Sequence, residues 1–473
     1  MPSADHSPDH SPDLVLCVDF GSTFTKAALV DVAAGRLVAT AQHPTTLPGP
    51  DGVGDVLDGY DACRAALDAA HPEVAEAEVL ACSSAGGGLR IGVVGNEELI
   101  TAEAGRRVAL SSGGKVVAVL AGGLDEGKLA ELRAAEPDVL LLVGGTDGGN
   151  AEQLLADAGY LARQRWPGPV VVAGDVEAQP AVAALLASAG TPCVLAANVV
   201  PRIGVLAPES ARQAIREVFL AHVIGGKDLS RRPASPSRPA FVEMVRGATP
   251  DIVLAGVELL AAELGDTVVV DVGGATTDVH SVLTLDPETG DLGEEGLARD
   301  VVAPTAVTRT VEGDLGMRWS AATTVAAARA AGVPAGELED AAGRRTADPG
   351  FLPDTDAERD ADNAIAAAAV LLALRRHAGR WQGRSGEQTG RDLREVAVLV
   401  GSGGVLRTSP PAVADRILRT GTGIDPHGWQ LPEHPHVVVD VDYVLAAIGL
   451  LALARPEAAG RLVASLSGWR GNR

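Results

Sequence analysis

The sequence predicts an α/β protein built from two related lobes, and three observations carry that expectation. Short apolar runs alternate with alanine-rich stretches between Val79 and Val200, an acidic glycine turn at 19–26 recurs at 271–278, and a third glycine turn lies at 401–404. The composition agrees. Hydrophobic residues make up 46% of the chain, mainly Ala, Val and Leu, and aromatics only 3%, which suits α/β layers better than an aromatic-rich β-sandwich.

At 473 residues the chain exceeds one compact core, so two or more domains of roughly 100–200 residues are expected. The net charge of -23 opposes polyphosphate backbones and anionic membrane surfaces. A small nucleotide stays admissible, because backbone N–H groups and a cation hold it locally. Cys17, Cys63, Cys82 and Cys193 form no CxxC pair, which points to a reduced, cytoplasmic protein without a zinc site. The runs "AIAAAAVLLAL" from Ala364 and "YVLAAIGLLALA" from Tyr443 fall short of the ~20 residues that span a bilayer and read as buried helices. Residues 1–12 have no apolar signal core and read as a disordered tail, with His6 and His10 solvated.

From Leu14 the elements follow in order. "LVLCVD" is a short buried strand, "FGST" a turn, "FTKAALVD" a second strand, "AAGR" a turn and "LVAT" a third strand, making a β-meander. The runs from Val139, Val170 and Cys193, separated by helical stretches, predict parallel strands with crossover helices in an inserted doubly wound unit. Residues 225–240 are a linker or surface loop rich in Gly, Pro, Ser and Arg, and similar loops start at Ala342 and Gly379. "TPDIVLAGVELLAAEL" from Thr249 is a helix with Pro in its first turn. "TVVVDVGG" and "ATTDVHSVLTLD" then repeat the strand, turn, strand pattern. The expected division is an N-terminal lobe over 13–262, containing the inserted unit, and a C-terminal lobe over 263–473.

The repeated turns carry the chemistry. "DFGSTFTK" at 19–26 and "DVGGATTD" at 271–278 each end a buried strand on Asp and place Gly two residues later. Gly21, Gly273 and Gly274 allow backbone N–H groups to approach an anion, with Ala275 in the same bend. Asp19 and Asp271 stand where a strand-end carboxylate holds a hydrated Mg2+. Ser22, Thr23, Thr276 and Thr277 add hydroxyls, and Lys26 offers a charge to terminal phosphates, while Asp278 occupies the position of Lys26 in the second copy. In "VAVLVGSGGVLR" from Val396, Gly401, Ser402, Gly403 and Gly404 form a bed for a nucleoside. The expected ligands are ATP and Mg2+, with Asp19, Lys26 and Asp271 as the catalytic set. Phosphoryl transfer needs positioning and charge neutralisation more than a covalent catalyst, so no nucleophilic side chain is needed beside these turns.

This ordered triple resembles the actin, Hsp70 and sugar-kinase superfamily of two-lobed ATPases. The resemblance implies duplicated ribonuclease H-like lobes with ATP in the cleft between them. It also makes the helices around Gly256 and from Asp440 the hinge pair, with Gly256, Ala446, Ala447 and Gly449 either allowing close crossing or simply lying in a buried helix pair. By the same resemblance Glu312 and Gly313, with Asp314, in "TVEGDLGM" form a further turn near the nucleotide.

"CVDFGSTFTKAALVD", "CSSAGGGLRIGVVG", "PDVLLLVGGTDGG", "ANVVPRIG", "VVDVGGATTDVHSV" and "VEGDLGMR" are more specifically similar to the MutL family of accessory proteins for adenosylcobalamin-dependent glutamate mutase, which is distinct from the mismatch-repair protein of that name. The likeness implies a reactivating ATPase whose partners are cobalamin-dependent mutase subunits. The cobalamin-binding DxHxxG signature is absent from this chain. Three enzyme-related readings stand beside it: a sugar kinase, for which no segment clearly supplies an aspartate base; a hydantoinase or oxoprolinase type enzyme, whose phosphate turn "DVGGATTDV" resembles; and a radical dehydratase activator, for which the cysteines lack a cluster arrangement. An actin-like scaffold is the non-enzymatic reading. Asp147 and Asn150 in "LLLVGGTDGGN" read first as part of a βα turn and second as an additional ligand loop, and His280 either approaches the phosphates or, on a strand whose faces alternate, points outward or into the core.

Overall fold

The computed structural model describes residues 13–49, 54–235, 238–285, 305–333, 337–382, 387–389 and 391–469. The expected tail at 1–12 lies outside the described residues, as do parts of the loops at 225–240 and after Gly379.

The chain opens with β1 (Leu14–Phe20), β2 (Phe24–Asp31), β3 (Arg36–Pro44) and β4 (Glu78–Ser83), all seven residues of β1 being buried. It then leaves this sheet for an inserted unit made of β5 (Arg90–Gly95), β6 (Lys115–Ala121), β7 (Val139–Leu142), β8 (Val170–Val172) and β9 (Cys193–Leu195). It returns as β10 (Val245–Ala248). The second half supplies β11 (Thr267–Val272), β12 (Thr277–Val282), β13 (Val307–Glu312), the small hairpin β14 (Arg380–Gln382) and β15 (Glu387–Thr389), then β16 (Val398–Ser402) and β17 (His436–Val439).

The two lobes share one topology. The first sheet runs β3-β2-β1-β4-β10 and the second β13-β12-β11-β16-β17. In each, three antiparallel strands form a meander and two parallel strands extend the first strand's other edge. This is the duplicated lobe of the actin-like ATPase fold that the repeated turns imply. The insert is an all-parallel sheet of order β6-β5-β7-β8-β9, a doubly wound arrangement in which crossover helices cover apolar strands such as the "VLLL" of β7.

The helix Thr249–Leu264 starts with Pro in its first turn and continues through the expected boundary between residues 262 and 263. The change of sheet comes between Ala248 and Thr267, an interval that contains that boundary. Its partner, Val444–Ala454, crosses it at backbone contact: a Cβ on Gly449 would stand 1.8 Å from the Ile252 carbonyl oxygen, and one on Gly256 2.7 Å from that of Leu445. Close crossing is therefore what these two glycines provide. Both helices enter an apolar core that also contains Val15, Leu80, Val269 and Val400, so side chains from both sheets are buried together.

The chain end returns to the first lobe. The helix Pro456–Ser465 donates from Arg461 to the Val32 carbonyl at 2.9 Å, and Arg455 bridges Asp13 and Glu78. The apolar run from Ala364 lies in the 22-residue helix Asp356–His377, whose N-cap Thr355 accepts from the Glu358 N–H and whose buried face fills the second lobe's core. The expected loop at 225–240 joins no two lobes. Its described part is a surface loop of the first, with Lys227 donating to the Gly88 carbonyl and Arg232 paired to Asp55 and Asp61. The four cysteines are free, and no helix among the described residues is long and apolar enough to cross a membrane.

Candidate functional site

The two acid hairpins close with the same backbone hydrogen bond. The Gly21 N–H donates to the Phe24 carbonyl at 3.1 Å, and the Gly273 N–H to the Thr276 carbonyl at 2.9 Å. A Cβ at either glycine would lie within 3 Å of that carbonyl oxygen, 2.6 Å at Gly21 and 2.9 Å at Gly273, so a side chain would open the turn. Register then sets the chemistry: Asp19 faces Lys26 across the first hairpin, and Asp271 faces Asp278 across the second. Directly opposite residues of antiparallel strands share a sheet face, so each pair interacts.

Asp19, Lys26 and Asp271 line one cavity of about 290 Å³, together with Gln42, Thr249, Ser402, Arg407, Asp440 and Tyr443. Asp19 is only 9% exposed and fully partnered. It accepts from the Thr249 hydroxyl at 2.7 Å and the Cys82 thiol at 3.6 Å, and the Lys26 ammonium lies 3.7 Å away. Burial pulls the Lys26 pKa down, but Asp19 foremost, then Tyr443, Asp271 and Asp440, outweigh it and hold the ammonium above its ordinary value. Burial raises the Asp271 carboxyl; Lys26 opposes the rise, Asp278 and Asp19 add to it, and a hydrogen bond from Ser402 opposes it, leaving the pKa raised. The two hairpin carboxylates thus feel each other's charge.

Two residues outside the expected site set complete the cavity. Asp440 is buried and accepts from the N–H groups of Val444 and Leu445, capping the helix Val444–Ala454. Burial, only partly offset by those N–H donors and by Lys26, pushes its carboxyl up to about 6. Tyr443 adopts a left-handed backbone, φ 55°, and its ring is flanked by Lys26 at 3.9 Å and the Arg407 guanidinium at 4.4 Å. Arg407 also donates to Gln42, so the ring sits between a cation of each lobe. An acid four residues ahead of an apolar helical run signalled Asp440 locally; nothing local signalled Tyr443.

Other expected residues are placed differently. The hairpin tips Gly21–Thr23 and Gly273–Thr276 do not line the cavity, and of the 401–404 turn only Ser402 does. Gly403, φ +104°, brings that turn beneath the second hairpin, where a Cβ would meet the Val272 carbonyl at 2.2 Å; Gly401 packs on Leu418 and Leu406, and Gly404 faces open space. The Thr277 hydroxyl is buried and donates to the Leu315 carbonyl, which removes it from the hydroxyl set. Asp278 is turned to Arg309, at 2.6 Å, and accepts from Thr276. Glu312 and Asp314 are clasped by Arg376, and the Gly313 carbonyl accepts from Ser320. Their turn instead buttresses the second hairpin: the N–H groups of Met317 and Arg318 donate to the Gly273 and Gly274 carbonyls, and the Ser320 hydroxyl to Ala275. Asp147 and Asn150 serve their own βα turn, Asp147 accepting from Asn198 and Asn150 from the Glu152 N–H. His280 is buried, and burial drives its pKa far down, so it stands neutral within β12.

Asp19 and Asp271 suit a hydrated divalent cation, which takes one or two carboxylates and keeps several waters. Among the described residues no group of three or more His, Cys, Asp and Glu forms a closed metal cage.

A family profile described as MutL protein matches residues 15–466. The chain belongs to the MutL protein family. It is 33% identical over 472 residues to Protein MutL of Clostridium tetanomorphum, covering 95% of this chain and 98% of that one. Among solved structures, this MutL-family chain is similar to nucleotide-free acetone carboxylase, with 15% identity, 93% and 70% of the two chains covered and a TM-score of 0.38. A carbohydrate kinase from Novosphingobium aromaticivorans aligns at 16% identity over 94% and 92% of the chains, with a TM-score of 0.30. The fold assignment rests on the repeated strand order within the chain itself.

Proposed function

We propose that the protein is an ATP-binding, ATP-hydrolysing accessory factor that reactivates an adenosylcobalamin-dependent mutase of the glutamate mutase type by exchange of damaged cofactor. The observation that carries the nucleotide reading is the doubled hairpin. Its two copies bring Asp19, Lys26 and Asp271 into one cavity beside the crossing of two hinge helices. Membership of the MutL family supports the accessory role. In this reading the protein works in the cytoplasm, with mutase subunits as partners.

Each residue then has a physical task. Lys26 neutralises phosphate charge as it now neutralises Asp19 and Asp271. Asp19 and Asp271 hold Mg2+, which when bound supplies electrostatic stabilisation of the transferring phosphoryl group. Gly21 and Gly273 close the turns through their own N–H groups, so that Ser22, Thr23, Gly274, Ala275 and the Thr276 N–H offer donors at the tips, and the 401–404 turn receives the nucleoside. Glu312, Gly313 and Asp278 act from behind the second hairpin through the contacts described above. Hydrolysis removes the anion that both hairpins grip, and the hinge pair lets the lobes separate.

The test mixes the purified protein with a cobalamin-dependent mutase inactivated by hydroxocobalamin, together with ATP, Mg2+ and fresh coenzyme. ATP-dependent recovery of mutase activity is expected. No recovery, with ATP-dependent phosphorylation of a small polyol instead, would overturn the reactivator reading.

A further inference from the structure

A single turn of the inserted unit meets both Arg309 of β13 and the first turn of the Thr249–Leu264 helix. The helix Glu103–Ser111 ends there, and its last carbonyls carry the negative end of the helix dipole. From the second lobe, the Arg309 Nη1 approaches the carbonyls of Leu110 at 3.4 Å and Gly114 at 3.3 Å. The same guanidinium, 5% exposed, grips Asp278 through Nε at 3.0 Å and Nη2 at 2.6 Å. Asp278 is the register partner of Asp271.

The hinge side reaches the same turn. Gly113, φ +76°, packs on the first turn of the Thr249–Leu264 helix so closely that a Cβ would stand 2.5 Å from the Asp251 nitrogen. Arg216 fixes Asp251 with bonds of 2.6 and 3.0 Å. Two residues earlier, Thr249 donates to Asp19. One path thus runs from Asp19 through Thr249 and Asp251 to Gly113, and the other from Asp271 through Asp278 and Arg309 to Leu110 and Gly114.

We infer that Arg309 is a positioning residue that ties the second acid hairpin to the inserted unit, so that nucleotide occupancy sets the packing of the Leu110–Gly114 turn. The inference rests on the nucleotide reading above. A buried Arg–carboxylate pair resists separation, because either charge alone would be stranded in a low-dielectric interior. Movement of the hairpin therefore passes through Arg309 to the helix end instead of being absorbed at the ion pair. The insert, which lies outside the duplicated lobes, thereby becomes the element that registers the state of the site. Lysine keeps the charge but lacks the planar fork that serves Asp278 and two carbonyls together.

Hydrogen exchange by mass spectrometry on the full chain, with and without ATP and Mg2+, tests this. In the wild type, exchange in residues 109–116 is expected to change by about threefold or more on nucleotide addition, the low end for coupled sites. In Arg309→Lys, ATP binding measured by calorimetry is expected to persist while that change disappears. Bound ATP without a response at 109–116 in the wild type, or an undiminished response in folded Arg309→Lys, overturns the inference. The wild-type arm decides even if the variant does not fold. Failure of the wild type to bind ATP would overturn the nucleotide reading itself and this inference with it.

Discussion

Lys26 stands 3.7 Å from the Asp19 carboxylate, its register partner across the first hairpin. The corresponding partner of Asp271 in the second hairpin is another carboxylate, Asp278. The duplicated turns are therefore complementary: one lobe brings a cation to the shared cavity, and the other sends its spare acid away to Arg309. Lys26 serves both lobes, because it also opposes the upward shift of Asp271.

Replacing Lys26 with Met should then disable the site without unfolding the protein. The carboxylates lose their shared counter-charge and phosphate loses its cation, so ATP turnover is expected to fall by about 100-fold or more. Phosphate release at saturating ATP, beside an unchanged circular dichroism spectrum, checks this.

Asp271→Ala is expected to abolish ATP turnover and leave the fold intact. It removes one of several like charges around the cavity, so the melting temperature should stay within about 2 °C of wild type. Turnover above about a tenth of wild type would exclude Asp271 from the catalytic set.

The crossing of the helices Thr249–Leu264 and Val444–Ala454 makes a stability prediction. Gly449→Ala puts a Cβ 1.8 Å from the Ile252 carbonyl oxygen, a backbone atom with little room to yield, and should cost about 1–3 kcal/mol or more. Gly460→Ala, in the Pro456–Ser465 helix with open space around it, should instead stabilise by roughly 0.5–1 kcal/mol. Denaturant unfolding of the two variants should move in opposite directions.

Asp440 gives a pH prediction. Its carboxyl is raised from 3.8 to about 6 by burial, so between those values the folded state binds a proton that the unfolded state has lost. Its contribution therefore makes stability fall as pH rises from about 4 to about 6, with a constant cost above that. Asp440→Asn removes the titration, and its unfolding free energy should fall less steeply than wild type, or rise, across this window. Parallel curves for the two proteins would refute the assignment.

Much of the architecture was legible locally. Alternating and continuous apolar runs marked the meanders and the parallel insert, and Pro250 marked the start of the Thr249–Leu264 helix, because strand and helix periodicity are written in neighbouring residues. The division at 262/263 falls inside one buried helix between the two sheets, and the return of the C-terminal helix to the first lobe is a contact that no local pattern announces. At the site, Thr277, Glu312 and Asp314 have polar side chains suited to a ligand, yet their partners proved to be the Leu315 carbonyl and Arg376.

By itself, the sequence determined the two acid hairpins. The same interval separates Asp19 from Asp271, Gly21 from Gly273 and Lys26 from Asp278, and a tight turn between paired strands converts that spacing directly into register. Only the tertiary structure decided what each acid touches. Thr249 reaches Asp19 from 230 positions away, and Arg309 joins Asp278 to carbonyls 199 and 195 positions distant. Such contacts depend on where separate elements pack, and a charged side chain carries no mark of its partner along the chain.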